Sequence, residues 1–174
     1  MSSNQYLLSP AQGVSPGIGF YLSGMDEVRE QLREAVSGMS DEQVGRRVVD
    51  GAQPIGALML HCVEAEWLWM HRVTAGGEMT DEDRSMAHRG ALDDPDGFAA
   101  KGYSAKYCLD ALDVIRVRTR VILASLSDDD LDRLFSYERQ GETFETSLRW
   151  VLHHLIDHEA QHKGQILMLK RLSG

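Results

Sequence analysis

"HHLIDHEAQHKGQ", residues 153–165, decides how this chain folds and what its interior carries. Four of the seven histidines fall inside it. The apolar positions around it (Val151, Leu155, Ile166 and Leu169) repeat at helical spacing, so the stretch belongs to a long C-terminal helix. On a helix, residues four apart lie one above the other, about 40° apart around the axis. His154, His158 and His162 therefore form one row. The four apolar residues lie within roughly 60–80° of that row, while Arg149, Lys163 and Lys170 lie opposite. The row points into a bundle or into a cavity of one. His153, about 100° away from His154, is peripheral.

Working outward, three more segments carry the same period. The first runs from about Gly17 to Met39, with Met25, Val28, Leu32 and Val36 on one face. The second opens at Pro54, a good first-turn residue, and runs to Gly76-Gly77. The third covers about Ser104 to Leu126, and the fourth starts near Glu145. Strand signals are absent except for ambiguous pieces such as "RRVV" and "RLFSY". Between the second and third helices lies the polar stretch "GGEMTDEDRSMAHRGALDDPDGFAAKG", too long for a tight turn. These features predict an all-α four-helix bundle with one long crossover in its middle. The expected organisation is a single domain over residues 1–174, with 1–16 as an extended N-terminal segment. A faint repeat sets "GMSDEQVGRRV" (38–48) beside "SLSDDDLDRLF" (125–135), making Ser40 and Ser127 candidate helix caps.

Composition narrows the function. With 43% apolar and 26% charged residues the chain is of ordinary globular type. A net charge of −9 argues against nucleic acid as the main partner. Arg116, Arg118 and Arg120 are expected to form a solvated helix face rather than a basic patch. Two cysteines are too few for a disulfide scaffold, and "MSSNQYLLSPAQG" lacks the basic and apolar regions of a signal peptide. No apolar run approaches the length of a membrane span. A cytoplasmic protein, with no membrane partner, is the expectation.

The second helix offers one inward histidine, His61, on a face shared with Leu58, Ala65 and Leu68. Several imidazoles buried together need partners for their ring nitrogens, and a divalent cation supplies them. Three neutral imidazoles leave one position open in a tetrahedral site, as catalytic zinc requires. From the helical wheel alone, His61 can meet either His154 with His158 or His158 with His162. Glu64, one turn after His61, and Gln165, about 20° from His158, are candidates to orient a ligand or substrate. Cys62 is turned about 100° from His61 and makes a poor ligand. Trp67, Trp69 and Trp150 are expected in core or subunit packing. Leu152, Ile156 and Leu167 form a second apolar set on the last helix, which a subunit interface or the other helices must cover.

"HEAQH" matches the zinc-protease pattern H-E-x-x-H. After His162 only "KGQILMLKRLSG" remains, with no Asp, Glu, His or Cys to complete such a site. The expected place for Glu159 is therefore the helix surface, and a protease is not the expected function.

Taken together, "PIGALMLHCVEAEWLWMHRV" (54–73), "LSDDDLDR" (126–133) and "HHLIDHEAQHKGQI" (153–166) resemble the DinB/YfiT-like family of small helical metalloproteins. The resemblance spans about residues 17–172. It implies an up-down-down-up four-helix bundle, often dimeric, with a divalent metal held by His61, His158 and His162. It leaves His154 as an outer partner of the site or an alternative ligand. Zinc is the first expectation for the metal, with nickel or iron next. Members with assigned activity resemble transferases or isomerases that use low-molecular-weight thiols such as mycothiol or bacillithiol. The resemblance thus implies an S-transferase acting on small electrophiles or xenobiotics. The alternative it leaves is a non-catalytic metal-binding stress-response protein. The family name refers to induction by DNA damage, which describes expression and not chemistry.

Overall fold

Long helices occupy the places that the periodicity predicts. The computed structural model describes residues 7–78, 80–86 and 90–173, so residues 1–6 of the expected N-terminal segment lie outside the described residues. Helix α1 is Pro16–Val36, and a short α2 follows at Asp41–Gly45. Helix α3, Ile55–Trp67, runs directly into a π-helical segment, Leu68–Thr74. The crossover holds two short helices, α4 at Asp81–Met86 and α5 at Pro95–Lys101. Helix α6 is Ala105–Ala124, and the last helix, α7, is Leu148–Leu172. Among the described residues no helix is long and apolar enough to cross a membrane.

One element is added to the mostly helical fold. Strands β1 (Leu134–Arg139) and β2 (Glu142–Ser147) form an antiparallel hairpin, with Tyr137 opposite Phe144. "RLFSY" belongs to this hairpin, whereas "RRVV" lies in a bend. Its two-residue turn, Gln140-Gly141, has φ of 53° and 81°. Both values are left-handed, as the turn that matches strand twist requires, and the glycine makes this cheap. Glu145 therefore lies in β2, and α7 starts later than its apolar period suggests. Ser147 sets the start by accepting the Trp150 backbone N–H.

Both Ser-initiated caps form. Ser40 and Gln43 close a reciprocal capping box, and at Ser127 the Asp130 carboxylate accepts from both the Ser127 backbone N–H and its hydroxyl. The second supports more than its own turn. Beside it, the Asp128 carboxylate accepts from the Ser15 hydroxyl at 2.6 Å and from the Gly17 and Ile18 backbone N–H groups, each at 2.9 Å. Asp128 thus caps α1 from more than a hundred residues away, while Ser15 caps nothing with its own side chain. A Cβ on Gly17 would sit 2.8 Å from Asp128 Oδ1, so this approach needs glycine. The Ser15 hydroxyl and the two N–H groups hold the Asp128 carboxyl below its ordinary pKa. A depressed carboxyl contributes stability above its unfolded pKa and loses it as pH falls through the folded one. The acid limb of a thermal-stability profile is accordingly expected to be shallower in Asp128→Asn than in wild type. Equal slopes would show that the cap contributes nothing.

Helices α1 and α7 lie side by side in the same direction. Gly24 faces Ile156, Arg29 pairs with Glu159, Gln31 meets Lys163, and Lys170 reaches the Ala35 carbonyl. Helix α1 so covers the second apolar set of α7, with Leu152 fully buried. No subunit interface is needed for that face.

The apolar interior is in two clusters. One gathers Leu32, Leu60, Trp67, Leu112 and Ile166; the other gathers Leu22, Met25, Met70, Leu123 and Leu155. Between them lies a charged layer with one residue from each long helix: Arg29, Glu66, Arg116 and Glu159, all 6% exposed or less. Arg29 grips Glu159 with Nε and Nη2, and its Nη2 also reaches Glu66 at 2.8 Å. Arg116 binds Glu66 at 2.8 and 3.2 Å and Asp26 at 2.8 Å. Two sequence expectations are corrected here. Glu159 is a core carboxylate rather than a surface one, and Arg116 is buried rather than solvated. A helical wheel scores both as polar, but two guanidinium forks and two carboxylates satisfy one another inside the bundle. Burial pushes the Glu66 carboxyl pKa up, yet Arg116 and Arg29 outweigh it and bring it down to about 2. Arg118 and Arg120 remain nearer the surface, each paired with an aspartate.

Candidate metal centre

Three imidazoles converge between α3 and α7. His158 Nε2 lies 3.2 Å from His61 Nε2 and 3.3 Å from His162 Nε2. The ligand atoms of the three rings all lie within 4.8 Å of one another, a group that could hold a metal ion. His158 and His162 meet there because they are one turn apart on α7. His61 reaches them because small, buried Ala57 and Ala65 flank it on α3.

The back of two rings is fixed. His61 Nδ1 faces Glu64 Oε2 at 3.3 Å, and His162 Nδ1 faces Gln165 Oε1 at 2.8 Å. A ring nitrogen facing a carboxylate or carbonyl oxygen carries the hydrogen, which leaves Nε2 as the bare lone pair. Both lone pairs then point at the shared space. Burial lowers the His158 pKa, and the His162, His61 and His154 rings reinforce this, taking it down to about 3. Burial also lowers His162. These two rings stay neutral at ordinary pH, the form in which imidazole binds metal. Glu64 is itself anchored, since its Oε1 accepts from the Gly90 N–H at 3.2 Å.

His154 is not among the converging rings. It stacks on Trp150 at 4.7 Å with the planes 6° apart, and Trp69 meets its edge at 5.3 Å. Its ring centroid is 5.6 Å from that of His158. Glu159, the glutamate of H-E-x-x-H, turns its carboxylate into the charged layer and away from the three rings. Cys62 is buried in the core, where burial raises its thiol pKa.

A pocket of about 560 Å³ adjoins the site, with Glu64 as the shared wall. The π-helical segment supplies Trp69 and Arg72 to it, and the hairpin supplies Tyr137 and Arg139. Sequence reading missed this pocket. It carried a 3.6-residue period through Leu68, which placed Leu68 on the inward face of His61; Leu68 is in fact 40% exposed. The wider π winding turns the later residues out of phase, a common device at functional sites. Of the three tryptophans only Trp67 is core, while Trp150 is 44% exposed. The Gln140-Gly141 dipeptide, flanked by alternating residues, is the signal that would have found the hairpin wall.

Helices in this order, with an inward histidine on α3 and a facing H-x-x-x-H on α7, define a DinB/YfiT-like bundle. The chain belongs to the mycothiol-S-transferase family, whose family model matches residues 22–172. No curated protein matches it. Two crystal structures share the fold. A conserved protein from Enterococcus faecalis aligns with a TM-score of 0.67 and 18% identity over 88% of this chain and 94% of that one. A DinB-like protein from Bacillus cereus ATCC 10987 gives 0.63 and 21%, over 88% and 91%.

Proposed function

We propose that this protein is a divalent-metal-dependent S-transferase that joins a low-molecular-weight thiol, mycothiol or a relative such as bacillithiol, to a small electrophile or xenobiotic. The observation that carries the reading is the convergence of three imidazole Nε2 atoms beside a pocket, in a chain of the mycothiol-S-transferase family. His61, His158 and His162 would hold the cation, zinc first and nickel or iron next, since three imidazoles suit each of them. Such a cation supplies a Lewis-acid position where a thiol is held as the thiolate, the nucleophilic form. Glu64 and Gln165 hold two of the rings by Nδ1 and keep their Nε2 atoms aimed at one point. Glu64 also faces the pocket, and in this reading its carboxylate accepts the proton that the thiol gives up. The up-down-down-up order of α1, α3, α6 and α7, a single domain, a homodimer and a cytoplasmic location belong to the same proposal.

A non-catalytic metal-binding stress-response protein would need a closed fourth position. Among the described residues the ligand atoms that converge are those of His61, His158 and His162, without His154 or Glu64. The transferase reading is therefore preferred.

Mass spectrometry of untagged, metal-replete protein tests the site. About one divalent metal per chain is expected in wild type, with loss in His61→Ala and in His158→Ala. A metal-free wild type would overturn the reading. With metal present, wild type and thiol should consume an electrophile that His158→Ala leaves unreacted, and equal rates would overturn catalysis.

A further inference from the structure

The pocket beside the three histidines has a chemical polarity of its own. Its inner wall is aromatic: Trp69 meets Tyr137 edge to face at 5.4 Å, and Tyr137 stacks on Phe144 at 5.6 Å. Its exposed rim carries Arg72, from the π-helical segment, and Arg139, at the tip of the hairpin. Two carboxylates also line it, but both are engaged. Glu64 binds His61 and the Gly90 N–H, and Glu138 accepts from the Thr143 hydroxyl. The arginines are not. Arg29, Arg33, Arg116, Arg118, Arg120 and Arg149 each meet a carboxylate. Among the described residues the guanidinium groups of Arg72 and Arg139 meet none and have no hydrogen-bond partner. A guanidinium carries five N–H donors in a fixed fork that matches a carboxylate. The unfilled hydrogen-bonding capacity of the pocket is thus donor capacity at its rim, above an aromatic wall.

We infer that this pocket binds an amphipathic carboxylate, an acid on an apolar or aromatic body, with the acid held by Arg72 and Arg139. The body lies against Trp69 and Tyr137, and its far end is directed past Glu64 toward the three histidines. The volume, about 560 Å³, is that of a small-molecule site. The chain as a whole carries a net charge of −9, so an anion gains nothing from the general field of the protein and must be drawn by these two local charges. This names the electrophilic substrate of the proposed transferase as an acid, and to that extent it rests on the transferase reading. The binding itself needs no metal.

The test uses the full chain and a matched pair of probes, 4-phenylbutanoate and its neutral amide, with affinity read by calorimetry. Wild type is expected to bind the acid about tenfold more tightly than the amide, and the Arg72→Gln/Arg139→Gln variant to lose that preference. Circular dichroism confirms that the variant is folded. Each measurement is made on metal-replete and on chelator-treated protein. A preference that survives chelation belongs to the pocket. One that vanishes with the metal belongs to the histidine site and overturns the inference. Equal affinity for acid and amide, or an undiminished preference in the double variant, also overturns it. Because the chelated arm reads the pocket alone, a chain that never binds metal would sink the transferase reading and leave this one standing or falling by itself.

Discussion

Glu159→Gln is expected to destabilise the protein by about 3–5 kcal/mol, a large share of what holds a domain of this size together. The four buried residues of the charged layer sum to zero: Arg29 and Arg116 against Glu66 and Glu159. Removing one negative charge leaves a net positive charge between two apolar clusters, where water cannot reach it. Arg29 loses the charge-assisted grip of Glu159, and Glu66 is left as the one buried carboxylate for two guanidinium groups, of which only Arg116 also reaches Asp26. The cost is therefore that of a stranded ion rather than of one weak contact. Chemical denaturation measures it directly. The companion double variant, Arg29→Met/Glu159→Leu, removes a matched pair and should recover much of the loss, because a buried ion pair and an apolar pair of similar volume differ little. A single-variant loss below about 1 kcal/mol, the value typical of surface pairs, would contradict the buried layer. Metal content per folded chain should stay at the wild-type level. The carboxylate faces the arginines and not the three histidines, so H-E-x-x-H marks here a core anchor beside two ligand-type histidines.

If the proposed site holds its cation, removing that cation should produce the second large effect. A metal bound only by the folded chain stabilises it by about 4 kcal/mol when free metal stands at a thousandfold excess over Kd. Thermal denaturation of the wild type should therefore fall steeply on treatment with a chelator and recover on adding back one divalent ion. His158→Ala should show no such response. His158 Nε2 lies between the other two, 3.2 and 3.3 Å from them, so its loss leaves two nitrogens from different helices and no third. Without metal the variant is expected to be somewhat less stable than the chelated wild type, because the neutral His158 ring can donate from Nε2 to a neighbouring imidazole and its removal leaves a cavity. A variant that still responds to chelator as wild type does would move the metal elsewhere in the chain.

The sequence by itself determined where the long helices run, because their apolar residues recur at helical spacing and helices need no distant partner to be read. It also narrowed the ligand histidines. The i, i+4 geometry holds along any helix, so His154, His158 and His162 had to share a row, and His61 had to face inward. The helical wheel left open which two of the row would meet His61, since that depends on how α7 slides against α3; the family resemblance pointed to His158 and His162. The tertiary structure brings His158 and His162 to His61 and leaves His154 stacked on Trp150. It likewise decided the charged layer. Arg29, Glu66, Arg116 and Glu159 look like surface residues one at a time, and only the meeting of four helices makes their burial affordable. The pocket wall was hidden for two reasons: the π-helical turn after Trp67 breaks the period from which facing is inferred, and the hairpin is short. Local periodicity fixes what each helix presents, but partners distant in sequence decide which of those groups meet.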